Sequence, residues 1–81
     1  MNLFALEILT PEKSLYSGKA AAVTVKAVDG ELQVLAGHAP YVNVLIPGEI
    51  KLYTDENTCL HFAHAGGVIE VSRDKTSLLV F

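Results

Sequence analysis

The chain has 81 residues, 51% apolar and 19% charged, a mixture that supports one packed core and is too apolar for a disordered tract. Six Lys and Arg stand against nine Asp and Glu, and the formal charge of -3 offers no basic field for nucleic-acid phosphate or anionic lipid. The one cysteine, Cys59, rules out an internal disulfide framework, and no apolar run nears the ~20 residues of a helical membrane span.

Apolar residues alternate with polar ones in short segments, and no window carries a helical stripe, so the chain is expected to be all-β. Phe4 to Thr10 reads as a first strand stopped by Pro11. A short second strand around Leu15 and Tyr16 is expected to end at Gly18. Next, Ala21, Val23, Val25 and Ala27 share one face, with Thr24 and Lys26 on the other. Asp29-Gly30 supplies a hairpin turn, since Gly accepts positive φ without a Cβ clash. Glu31 to Leu35 returns, and Gly37-His38-Ala39-Pro40 breaks it.

Val42, Val44 and Ile46 then share a face up to Pro47-Gly48, a pair suited to a type II turn with Gly in the left-handed position. A strand from Ile50 ends at the polar run Thr54 to Asn57. Cys59 to Ala65 and Val68 to Val71 follow, separated by a bend or bulge at Gly66-Gly67. After the turn Ser72 to Lys75, Thr76 to Phe81 closes the chain. About eight to ten such strands imply two packed sheets or a flattened barrel, because one sheet alone leaves an apolar face wet.

Candidate chemistry is sparse. Cys59 and His61 share a strand face within reach of one metal, while His64 has the opposite parity. A metal- or ligand-binding β-barrel using Cys59, His61 and His64 is the alternative reading, and these three fall short of a closed four-ligand site. The proximity of Cys59 to His61 alone does not make a nucleophilic pair, which also requires an orienting third group and a cleft. His64, in phase with Leu60 and Phe62, reads as a hydrogen-bonded buried or interfacial residue. Glu31 and His38 occupy turn and loop positions free to meet a partner. No catalytic site, cofactor or metal is expected.

Gly30-Glu31-Leu32 followed by Gly37-His38-Ala39-Pro40 resembles the epsilon subunit of F-type ATP synthases, called delta in mitochondria. Leu6 to Lys13, Tyr16-Ser17-Gly18, Pro47-Gly48 and Gly66 to Val71 resemble further landmarks of that family, in order and over nearly the whole chain. Departures are Lys26-Ala27 in place of a usual Pro-Gly, Gln33 and Ala36 at common Gly and Pro positions, and Ala65 in place of a frequent serine.

The resemblance implies a ten-stranded sandwich of two antiparallel sheets, filling residues 1–81, as a non-catalytic part of the central stalk. It also implies a short form without the carboxyl-terminal helical hairpin found in many members. The expected partners are the gamma subunit, through Thr10, Asn43 and Ala65, and the c-ring, through Glu31 and His38. Proton-driven rotation would then be coupled to ATP synthesis carried out elsewhere in the complex. The expected location is the cytoplasmic face of a bacterial inner membrane, as a peripheral part of the complex, with the isolated chain monomeric.

Overall fold

In the computed structural model, which describes residues 2–81, the alternation resolves into nine strands. These are β1 (Phe4–Leu9), β2 (Ser14–Ala20), β3 (Ala22–Ala27), β4 (Gly30–Leu35) and β5 (Tyr41–Leu45). They continue as β6 (Gly48–Tyr53), β7 (Cys59–His64), β8 (Gly67–Val71) and β9 (Thr76–Val80). All nine belong to one hydrogen-bonded sheet in the order β2-β1-β9-β8-β5-β3-β6-β7, with β4 on the other edge of β3.

Between β5 and β3 the sheet narrows to one residue pair, Leu45 with Ala27, flanked by Val28 N to Val44 O at 3.0 Å and Ile46 N to Lys26 O at 3.1 Å. Folded at that corner, β2-β1-β9-β8-β5 faces β4-β3-β6-β7. The core lies between the two halves. Leu6, Ile8, Ile69, Leu78 and Val80 from one half meet Val23, Val25, Val34, Ile50 and Leu52 from the other, all essentially without exposure. Each set is spaced two residues apart along its strand, as one face of a pleated sheet requires.

The all-β sandwich expected from the sequence forms, with nine strands among the described residues, within the expected eight to ten. Two details depart from a pair of antiparallel sheets, the first being that the halves remain joined at the corner. In addition, β1 runs parallel to β9, with Ile8 beside Leu78. Period-2 alternation reports which face a residue takes and is silent about the direction of the neighbouring strand, and these neighbours come from opposite ends of the chain.

Local departures have local causes. β2 does not stop at Gly18 but continues to Ala20, with Gly18 opposite Leu6, Lys19 opposite Ala5 and Ala20 opposite Phe4 of β1. The Tyr16 ring lies over the glycine, and its hydroxyl donates to Lys19 O at 2.6 Å. A Cβ on Gly18 would sit 3.2 Å from the Tyr16 oxygen, so the glycine makes room for the ring. The β3–β4 hairpin places Val28 and Asp29 in its two-residue loop, and the positive φ of 131° falls on Gly30, the first residue of β4. Pro47-Gly48 forms no type II turn with a left-handed glycine. Gly48 is not among the positive-φ glycines, and it opens β6 directly. The bend at Gly66-Gly67 forms as expected, with Gly66 at φ 124°.

Candidate functional site

An outward face of the β5-β8-β9 half breaks the usual rule that such a face is polar. Register places Val44 beside Val68, Val68 beside Leu79, and Leu79 beside Leu9 of β1, a row of four apolar side chains across four strands. Val44 is 53% exposed, Val68 41% and Leu79 43%, so the row is open to solvent. Val42, Ile46 and Phe81 extend the exposed apolar set. The parallel row Val42, Glu70, Ser77 and Glu7 limits it on one side with polar groups. There Ser77 Oγ and Lys75 Nζ both lie 3.1 Å from Glu7 Oε2. Those two hydrogen bonds, Lys75 first, hold the Glu7 carboxyl below its ordinary value of 4.5.

Sequence reasoning missed Val44, Val68, Leu79 and Phe81 as site residues. A signal was present in the runs Val42 to Ile46, Val68-Ile69 and Leu78-Leu79-Val80, because a strand covered on both faces reads as continuous apolar sequence.

The sequence-derived contact residues occupy several places. Thr10 follows Leu9 at the end of the apolar row, and its Oγ1 accepts from Lys13 N at 3.1 Å. Ala65 is exposed in the bend after β7 and donates its N–H to Phe81 O at 2.6 Å, so it lies beside the row on the flank opposite Glu70 and Ser77. Asn43 sits between Val42 and Val44 but points to the other side of β5, where its amide donates to Asp29 Oδ1 at 2.8 Å and to the Tyr41 hydroxyl. Thr10 and Ala65 therefore frame the face, while the Asn43 side chain ties β5 to the β3–β4 loop.

Glu31 and His38 are not brought together. Glu31 pairs with Lys26 beside the hairpin loop, whereas His38 follows the opposite end of β4. Glu31 lines a depression with Thr24, Lys26, Glu49 and Lys51, and His38 lines another with Arg73 and Lys75. The His38 ring meets Tyr41 edge-on, with centroids 6.0 Å apart.

Cys59, His61 and His64 do not converge either. His61 Nε2 lies 3.5 Å from Cys59 Sγ on the outer face of β7. His64 is half-buried on the other face, where its Nδ1 accepts from Gly66 N at 3.0 Å. Among the described residues no group of three or more His, Cys, Asp or Glu is placed to hold a metal ion. His64, expected to be hydrogen-bonded and buried or interfacial, has the Nδ1 bond, whereas its Nε2 is buried without a hydrogen-bond partner among the described residues.

Comparison with known proteins explains why these landmarks recur together. The family described as ATP synthase, Delta/Epsilon chain, beta-sandwich domain matches residues 3–80. The chain belongs to this family. An ATP synthase epsilon chain of Chlorobaculum tepidum is 40% identical over 76 residues, covering 94% of this chain and 86% of that protein. One from Ruminococcus albus is 38% identical, covering 91% of this chain and 54% of that protein. A sodium ion specific epsilon chain of Propionigenium modestum is 35% identical over 98% of this chain and 57% of its own length.

The chain thus spans just over half of two of these epsilon chains and most of the third. Similar folds occur in the mitochondrial ATP synthases of Euglena gracilis and Tetrahymena thermophila, with TM-scores of 0.90 and 0.81. Each alignment covers 96% of this chain, with 50% and 63% of the respective partner chain, at 22% and 24% identity. That likeness is one of fold.

Proposed function

We propose that the chain is the sandwich part of a non-catalytic rotor subunit of an F-type ATP synthase, docking on the gamma subunit through the apolar β5-β8-β9 face. The observation that carries this reading is the exposed row Val44, Val68, Leu79 and Leu9. Contiguous apolar surface on a small domain marks a docking site, because leaving it wet forfeits about 25 cal/mol for each Å2 that a partner would bury. Membership in the epsilon-chain family supports gamma as the occupant. Thr10 and Ala65 then border the contact, and Asn43 acts by holding β5 against the hairpin loop.

A second contact, with the polar loops of a c-ring, is assigned to Glu31 and His38. Because these residues lie at opposite ends of β4, they meet the ring as two separate points. The subunit takes no catalytic part in ATP synthesis and couples rotation to synthesis elsewhere, at the cytoplasmic face of a bacterial inner membrane. The test replaces Glu31 and His38 by Ala in one chain and compares gamma binding with attachment to membranes carrying the ring. Retained gamma binding with weakened membrane attachment is expected. Unchanged attachment removes the ring assignment.

A further inference from the structure

On the outer face of the other half, turned away from the apolar row, β6 and β7 bring a thiol, an imidazole and a carboxylate into line. His61 Nδ1 lies 3.0 Å from Glu49 Oε1, and His61 Nε2 lies 3.5 Å from Cys59 Sγ. The ladder sets this spacing: Lys51 pairs with His61, Glu49 with Ala63, and Tyr53 with Cys59, so all these side chains share one face. The Glu49 carboxyl is held below its ordinary value of 4.5, chiefly by the hydrogen bond from His61, so it is an anionic acceptor at neutral pH. An ionised carboxylate can only accept, which puts the ring proton on Nδ1 and leaves Nε2 free to accept.

The thiol has a second acceptor, Leu60 O, farther away at 3.8 Å. The nearer imidazole nitrogen is also the one that can carry the proton away. Beside the relay, Glu49 forms one wall of a depression of about 180 Å3 whose other walls include Thr24, Lys26, Glu31 and Lys51. The lining carries two lysines and two glutamates, a mixed set in which Lys26 and Lys51 can meet carboxylates and Glu31 an ammonium group of a disulfide that bears both. Tyr53 is the cross-strand neighbour of Cys59, and Lys26, Glu31 and Lys51 are the remaining charged groups around the depression.

We propose that Cys59, His61 and Glu49 form a thiol-activating relay that makes Cys59 a site of mixed-disulfide formation with small acidic disulfides of the oxidised-glutathione class. His61 Nε2 takes the thiol proton while Glu49 holds the ring. The Cys59 sulfur attacks one sulfur of the disulfide, a new S–S bond forms and the old one breaks. The departing thiolate takes the proton back from His61. Cys59 is oxidised, the departing half is reduced, and no further reagent is consumed.

The test treats the full 81-residue chain, reduced, with oxidised glutathione and follows the intact mass. Rates are measured from about pH 6 to about pH 9 for the wild type, His61→Ala and Glu49→Ala, folded and in denaturant. Near neutral pH the folded wild type is expected to react about tenfold faster than His61→Ala, with Glu49→Ala between, and the pH profile to change shape when His61 is removed. In denaturant the three converge, since the relay needs the β6–β7 register. Equal folded rates for the wild type and His61→Ala overturn the proposal. A wild-type rate in Glu49→Ala overturns the part given to the carboxylate.

Discussion

Gly67 shows how one residue can depend on the absence of a side chain. A Cβ there would drive into the backbone carbonyl of Leu79 and the Val80 Cα, and neither can swing aside as a flexible side chain would. Gly67→Ala is therefore expected to cost about 2 kcal/mol, in the range of overpacked interiors, measured as a lowered urea midpoint. Glu7 supplies a pH-dependent counterpart. Its carboxyl is held low by Lys75 and Ser77, so its contribution is present above the unfolded value and lost as pH falls through the folded one. The stability gap between the wild type and Glu7→Gln is expected to be open at neutral pH and to close below about 4.5, followed by denaturant titrations across that window.

Most of the elements were legible because the alternation of Val23, Val25 and Ala27, or of Ile50 and Leu52, has only one arrangement that buries them together. What stayed hidden was long-range or double-sided. The parallel pairing of β1 with β9 joins residues some seventy positions apart, as Glu7 and Ser77 show, and no local pattern encodes it. A glycine's role depends on its neighbour: Gly18 looks like a stop in the sequence, yet its missing side chain leaves room for the Tyr16 ring within a continuing strand. The β1–β9 junction also carries core weight. Leu78, buried beside Ile8, is expected to cost about 2 to 5 kcal/mol when changed to Ala, read from chemical denaturation. A much smaller loss would mean that the ends of the chain contribute little to closing the sheet.

At the scale of the whole molecule, the two outer faces of the sandwich have different characters. The β4-β3-β6-β7 face carries Lys26, Glu31, Glu49, Lys51 and His61, charged and polar groups that suit water. The β5-β8-β9 face carries valines and leucines, and its legibility was limited by the same alternation that served the core. Val42, Val44 and Ile46 were placed on one face, but alternation alone does not say whether that face is inner or outer, and Leu45 is the β5 residue that enters the core. Of the residues that the family resemblance gives as gamma contacts, Thr10 and Ala65 fall at the margins of this face and Asn43 beneath it.

The measurement closest to the central claim is the affinity of purified gamma for the chain with Val68→Asp and Leu79→Asp together, beside a control with Lys51→Asp on the charged face. Circular dichroism and the urea midpoint establish that each variant is folded. The account predicts that the double variant loses gamma binding by at least about a hundredfold, since two charges would be desolvated in an apolar contact, while the control binds as the wild type does. Gamma affinity unchanged in the folded double variant would contradict it.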